Sequence, residues 1–220
     1  MQNAAVLWTG GKDSCLAVLD VVERMNVTRL VTFAPDPPRP FLAHPLETMA
    51  AQAAALGIEH TIARLAGPLL EAYERAIDAL VDEGVEVLVT GDMDRVAGHD
   101  NWIEERARGL VEVERPLWHA DRIGVLRRLS KLGLDVVCTL ARKDAFEESI
   151  VGRRFDAALI EELTARHGVD GFDACGENGE YHTCVLDAPG FAAPLRLEGT
   201  RLVETDEFLH LAFDGVEATR

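Results

Sequence analysis

Positive charge is scarce in this chain: 22 Lys and Arg stand against 38 Asp and Glu, a formal net charge of −16 over 220 residues. That balance argues against a broad nucleic-acid surface, because such binding is driven largely by cations neutralising phosphates. The basic clusters that exist, Arg122, Arg127, Arg128 and Lys131, then Arg153-Arg154, read as solvated helix faces rather than a site for an acidic macromolecule. Long apolar runs are missing too. No window approaches the roughly 18 to 20 apolar residues needed to span a bilayer, and Met1-Gln2-Asn3 has no basic segment leading into a signal-peptide core. The expectation is a cytoplasmic protein with no membrane partner. The four cysteines, Cys15, Cys138, Cys175 and Cys184, show no CxxC or other metal-ligand spacing, so reduced thiols, no disulfide and no zinc are expected.

What is present reads as globular. Hydrophobic residues make up 48% of the chain, and the length suits one large domain or two small ones. Ala4 to Trp8 is a short apolar run ending in Gly-Gly, after which Leu16, Val18, Leu19 and Val22 recur at helical spacing. That is strand, tight turn, helix. Arg29 to Phe33 predicts a second strand, broken by the four prolines between Ala34 and Pro40. Helices are expected over Leu46 to Leu56 and Pro68 to Glu83, with strands at Ile58 to Arg64 and Val85 to Thr90. Strands alternating with such helices argue for a parallel, helix-covered sheet, an α/β fold. A further helix near Asn101 to Gly109 leads into Glu112 to Leu117. A second α/β stretch follows, with helix Arg122 to Leu132, strand Asp135 to Leu140 and helix Asp156 to His167. Pro116 interrupts the pattern, which places a boundary between domains 1–115 and 116–220.

The first chemically loaded segment is Thr9-Gly10-Gly11-Lys12-Asp13-Ser14. A Gly-Gly turn between a strand and a helix collects backbone N–H groups at the positive end of a helix dipole, where an anion is stabilised. Gly10 and Gly11 allow close approach, Lys12 adds charge, Ser14 supplies a hydroxyl, and Asp13 could hold Mg²⁺. A Walker A loop is excluded, since Val6 occupies its first glycine's place and Asp13 follows the lysine; a GxGxxG dinucleotide loop is absent. Gly91-Asp92 follows the strand ending at Thr90, where open α/β sheets bind ligands, so Asp92 suits magnesium or ribose.

The second segment is Asp173-Ala174-Cys175-Gly176-Glu177-Asn178-Gly179-Glu180-Tyr181-His182-Thr183. Its glycines predict a tight loop that frees side chains to face a cleft. Glu177, Glu180 and His182 can hold Mg²⁺, orient an amine, or move a proton; an ordinary turn before strand Thr183 to Leu186 is the plainer alternative. No HExxH or carboxylate-rich loop supports a permanent metal site. Trp102 and Trp118 read as core aromatics, Cys175 as a small buried residue, and Arg106 equally well as a phosphate ligand or a surface ion pair.

The string from Thr9 to Ser14 resembles the SGGKDS signature of the pyrophosphate-loop ATPases, with Thr9 for the commonest Ser. The run from Cys175 to Thr183, continued by Val185 to Phe191, resembles the CGEGGEFHT-type signature of the diphthine ammonia ligase family. Asn178 stands where that family's eukaryotic and archaeal members usually have Gly. Gly91-Asp92, Trp102 with Glu105-Arg106, Arg115 to Trp118, and His44 with Gln52 resemble further family segments, so the similarity covers about residues 4 to 191.

The resemblance implies a Rossmann-like (HUP-type) parallel sheet with helices on both faces plus a smaller C-terminal α/β domain for substrate. It also implies ATP and Mg²⁺ as cofactors. Thr9, Gly10, Gly11, Lys12, Asp13, Ser14, His44, Gly91 and Asp92 would bind nucleotide, with metal on Asp13 and Asp92. Arg106 and the run Gly176, Glu177, Asn178, Gly179, Glu180, Tyr181, His182 and Thr183 would bind substrate. Lys12, Asp13, Glu177, Glu180 and His182 would carry the chemistry, adenylation of a carboxylate followed by amide formation. The implied partners are diphthine on elongation factor 2 and ammonium, or a small carboxylate metabolite in a bacterium, and a homodimer is allowed. A tRNA-modifying adenylating enzyme would want a basic face and paired cysteines or an RNA-binding domain. A universal-stress-type nucleotide sensor would not need Lys12-Asp13-Ser14.

Overall fold

The computed structural model describes residues 1–95 and 102–219. The chain packs as two units. One comprises Met1–Thr9, Asp13–Pro40 and Gly57–Trp118; the other comprises Gly10–Lys12, Phe41–Leu56 and His119–Arg220. The expected boundary at 115/116 treats the chain as two continuous pieces, whereas in the structure two short N-terminal segments pack with the later half.

In the first unit, β1 (Asn3–Leu7), β2 (Asn26–Pro35), β3 (Glu59–Leu65), β4 (Val87–Val89) and β5 (Glu112–Glu114) form a five-stranded sheet of order β3-β2-β1-β4-β5. All four pairings are parallel. Ala5, Val31 and Leu88 face a core completed by Ile77 and Leu80 of α3 (Leu69–Asp82) and by Ile103 and Ala107 of α4 (Trp102–Ala107). Neighbouring Ala4 and Val6 are also fully buried, as a strand covered on both faces requires. α1 (Lys12–Val21) buries Cys15, Leu16, Val18 and Val21. The strand order reverses between β1 and β4, and in open parallel sheets ligands bind at the carboxyl ends of such a pair.

β2 runs two residues into the proline segment expected to break it, because the parallel ladder with β3 continues to the Pro35–Leu65 pair. The expected helix start at Asn101 lies outside the described residues. Trp102 is not a core residue: it is 39% exposed and packs tilted against Tyr73 and edge-on to Phe33, with ring centroids 4.3 and 6.4 Å away. Trp118 carries the Arg115 guanidinium 4.1 Å from its ring.

The second unit is also built from helices and strands, and its strands pair antiparallel. α2 (Leu46–Leu56), α5 (Arg122–Leu132) and α6 (Ala157–Arg166) accompany an antiparallel sheet, order β7-β6-β10-β9. Its strands are β6 (Asp135–Arg142), β7 (Tyr181–Asp187), β9 (Arg201–Glu204) and β10 (Phe208–Ala212). A two-stranded ribbon pairs β8 (Leu195–Glu198) with β11 (Gly215–Ala218). α5 and α6 start where Asp121 and Asp156 accept the N–H of Gly124 and Leu159, the usual use of a short acidic side chain at a helix start. No helix among the described residues is long and apolar enough to cross a membrane.

Candidate active site

In the first unit the loop after β1 and the loop after β4 are built against each other. A Cβ placed on Gly91 would lie 2.6 Å from the Asp13 carbonyl carbon, 2.7 Å from its oxygen and 2.8 Å from the Ser14 nitrogen. Every one of those atoms is backbone, so only a residue without a side chain fits here. Asp92, next in the chain, is thereby held beside the start of α1, with its N–H directed to Thr90 Oγ1 at 3.4 Å. The Ser14 hydroxyl lies 3.2 Å from Thr9 Oγ1 and accepts from Thr9 N at 3.4 Å, closing the turn on itself. Thr9, Asp13, Ser14, Gly91 and Asp92 therefore lie together around the start of α1. Mg²⁺ commonly takes only one or two protein carboxylates and completes its shell with phosphate and water. Asp13 and Asp92 fit that demand, and no larger group of metal-ligating side chains occurs among the described residues.

Arg106 is not brought to this place. Its guanidinium is engaged by Glu74 at 2.9 Å and Glu105 at 3.4 Å, an ion-pair cluster between α3 and α4.

In the second unit, Gly10 to Lys12 are stitched to β7. Gly10, at φ +74°, uses its carbonyl to accept Val185 N at 3.0 Å and Gln52 Nε2 at 2.8 Å. Lys12 N donates to Thr183 Oγ1 at 3.0 Å. The Lys12 side chain is only 2% exposed; its Nζ donates to the Cys175 carbonyl at 2.5 Å and lies 5.5 Å from the centre of the Tyr181 ring. The Tyr181 hydroxyl donates to the preceding carbonyl, Ala174, at 2.6 Å. The two glycine-containing motifs, distant in sequence, are thus joined by lysine, tyrosine and threonine.

β7 begins at Tyr181, two residues before the strand expected from Thr183, so Tyr181 and His182 are strand rather than loop residues. Strand alternation buries Tyr181 and Thr183 and exposes His182. Glu180 is also reassigned: it is 3% exposed, and its two carboxylate oxygens accept Asp173 N at 2.7 Å and Asn178 N at 3.0 Å. A carboxylate bonded in this way pins the loop's backbone. Asn178 adds a bond from Nδ2 to the Gly171 carbonyl at 3.0 Å. Its φ is not positive, so this loop has no stereochemical need for glycine there. Gly176 does need to be glycine, at φ +83° with the Tyr181 carbonyl 2.9 Å from a would-be Cβ. Glu177 is partly buried and His182 is exposed.

Two residues that hold the site were not selected from sequence. Arg122, read as part of a solvated helix face, is a near-buried partner of Asp173 at 2.9 Å. That carboxylate raises the guanidinium's pKa, overcoming the loss from burial, and Asp173 Oδ1 also accepts Cys175 N at 2.7 Å. Gln52, noted only as part of a family segment, is fully buried on α2 and bridges Gly10 O to Val185 O. A glutamine inside an apolar Ala-rich helix was the available signal.

His44 sits edge-on to His182, ring centroids 5.4 Å apart. Burial, followed by the positive charges of His182 and Lys12, pushes its imidazole down to about 3, so at neutral pH it is an uncharged donor and acceptor. Burial likewise pushes the Cys15, Cys138 and Cys184 thiols up to about 12, which makes them poor nucleophiles. Cys175 is buried with its sulfur against the Arg122 carbonyl at 3.4 Å. A groove of about 250 Å³ beside the loop is lined by Arg142, Lys143, Phe146 and Leu209. Arg142 connects the two by donating to the Asn178 carbonyl at 3.3 Å.

Residues 1–111 match the model of the diphthamide synthase N-terminal domain, and residues 121–215 match that of the diphthamide synthase C-terminal domain. Among solved structures, one similar chain is described as a predicted subunit of tRNA methyltransferase from Methanocaldococcus jannaschii. It is 19% identical over 86% of this chain and 98% of that one, with a TM-score of 0.43. Another is N5-carboxyaminoimidazole synthase from Aspergillus clavatus, 11% identical over 93% of this chain and 54% of that one, with a TM-score of 0.27. Neither likeness is close enough to bear on function, and no curated protein matches significantly. With both domain models matched in order along the chain, this protein belongs to the diphthamide synthase family.

Proposed function

We propose that the protein is an ATP-dependent amide ligase that activates a carboxylate by adenylation and transfers it to ammonia. The observation that carries this reading is the loop Thr9–Ser14, which opens α1 where the sheet order reverses and has Gly91 flush against its backbone. Such a turn presents N–H groups and a helix dipole to phosphate, as a pyrophosphate leaving group requires. The substrate carboxylate oxygen attacks the α phosphorus of ATP, the α–β phosphoanhydride bond breaks, and pyrophosphate leaves. Ammonia then attacks the acyl carbon, AMP departs, and the nitrogen gives up a proton. Lys12 and the loop N–H groups stabilise the charge that grows on pyrophosphate. Asp13 and Asp92 would hold Mg²⁺, which would neutralise phosphate charge.

Glu177 and His182 orient the acyl group or the amine and take the proton. His44, neutral at pH 7, supplies a hydrogen bond without adding a charge. Family membership supports diphthine on elongation factor 2 as the carboxylate and ammonium as the nitrogen source; a small carboxylate undergoes the same steps. Incubating the protein with MgATP, ammonium and either carboxylate should yield AMP, pyrophosphate and the amide. Formation of ADP, or ATP binding without turnover on any carboxylate tried, would overturn the reading.

A further inference from the structure

In the first unit the apolar stripe of α3 runs on past the core it serves. Ile77 and Leu80 are buried against the sheet, and the same side of the helix continues toward its start as Tyr73, Leu70 and Leu69. Tyr73 is half-buried, whereas Leu69 and Leu70 are 56% and 57% exposed. Trp102, the first residue of α4, packs tilted on Tyr73 at 4.3 Å and edge-on to Phe33 at 6.4 Å, and Phe33 meets Tyr73 edge-on at 5.2 Å. Two rings thus brace the indole, yet it stays 39% exposed, which leaves unburied a large part of the area through which aromatic side chains stabilise a fold. A braced aromatic patch of this kind, open to solvent, marks a binding surface.

Its position and charge indicate what binds there. β3 feeds α3 and β4 leads to α4, so Leu69, Leu70 and Trp102 begin helices at the carboxyl edge of the parallel sheet, the edge that carries the Thr9 turn and Gly91. Leu7 pairs with Val31, Trp8 N donates to Val31 O, and Thr32 Oγ1 donates to Trp8 O, so the β1–β2 register runs on to Trp8 and Thr32. One residue further, Phe33 comes level with Thr9, a strand spacing of about 5 Å away. The patch therefore begins beside the turn and extends from it along the edge where open sheets bind ligands. The carboxylates next to it, Glu74 and Glu105, are engaged by Arg106, so the surroundings favour a flat, uncharged group over a phosphate or a carboxylate.

We propose that Trp102, braced by Tyr73 and Phe33, is the stacking platform for the purine base of the nucleotide. This rests on the nucleotide reading above and adds to it the site of the base. Trp102→Ala should weaken binding of AMP and of a non-hydrolysable MgATP analogue about tenfold or more, and leave magnesium pyrophosphate, which has no base, within about twofold of wild type. Trp102→Phe keeps a smaller ring and should recover part of the loss. Titration calorimetry should be run well below each variant's melting temperature, so that the affinity is that of folded protein. Unchanged affinity for AMP and the analogue would overturn the inference. An equal loss for pyrophosphate would also overturn it, by making Trp102 a packing residue that shapes the phosphate turn. Self-association lost in Trp102→Ala with nucleotide affinity intact would give the patch to a second copy of this chain, again overturning the inference. Wild-type protein that binds none of the three ligands would overturn the nucleotide reading itself, a result distinct from a variant that binds normally. Should the variants fail to fold, wild-type protein decides: the base protons of bound AMP should show nuclear Overhauser contacts to the Trp102 ring, and bound AMP without them would refute the platform.

Discussion

Replacing Gly91 with alanine tests the construction of the proposed phosphate site most directly. The added Cβ would meet the Asp13 carbonyl carbon at 2.6 Å, the oxygen at 2.7 Å and the Ser14 nitrogen at 2.8 Å. Restoring van der Waals contact requires a separation of about 0.8 Å between the β4 and β1 loops, and backbone cannot swing aside as a flexible side chain does. Overpacking of this kind costs about 1 to 3 kcal/mol. For a chain of this size that corresponds to a melting-temperature drop of about 4 to 8 °C at the middle of the range. The same displacement moves the first N–H groups of α1, so MgATP affinity should fall by about tenfold or more, since 1.4 kcal/mol is a factor of ten. Differential scanning fluorimetry and titration calorimetry on one preparation measure both effects. Gly57→Ala is the control: at φ +68° with nothing within 4 Å, it carries only the local left-handed strain, about 1 to 2 kcal/mol, and no affinity change. Gly91→Ala that melts and binds like wild type would refute the close packing of the two loops and with it the geometric basis of the site.

Three further outcomes are expected. Arg122→Met leaves the Asp173 carboxylate near-buried and unpaired, so stability should drop by about 3 kcal/mol in urea unfolding, with faster amide exchange over residues 173 to 180; an unchanged midpoint would contradict the pairing. Glu180→Ala orphans two backbone N–H groups and should destabilise by about 2 to 4 kcal/mol, whereas Glu177→Ala should lower turnover while melting near wild type; equal melting of the two would refute the separation of roles. The folded pKa of His44, about 3, lies below its unfolded value of 6.5, so the unfolded chain takes up the proton first as pH falls. His44 therefore costs nothing above pH 6.5 and progressively destabilises the fold between 6.5 and 3. At pH 5 the penalty is about 2 kcal/mol, and His44→Gln should recover about that much relative to wild type between pH 7.5 and 5; parallel stability curves would refute the neutral imidazole.

Much of the first unit was legible in the sequence for local reasons. Short apolar runs ending at Gly-Gly or Gly-Asp and alternating with helical segments read as buried parallel strands from their own composition. The β8 to β11 strands were not legible. Segments such as Arg201–Glu204 are short, largely polar and exposed, and they become strands only through their antiparallel partners.

The same limit governs the site. A Gly-Gly turn between strand and helix makes Thr9 to Ser14 a candidate anion site from sequence, since backbone donors and a helix dipole fall within six consecutive residues. Which polar side chains are chemical and which are structural was decided only by tertiary contacts. Glu180 and Glu177 are the same residue type three positions apart, yet one carboxylate is consumed by two buried backbone N–H groups. Arg122 and Gln52 gain their roles from Asp173 and Gly10, 51 and 42 positions away, and no periodicity or spacing can encode a hydrogen bond over that distance.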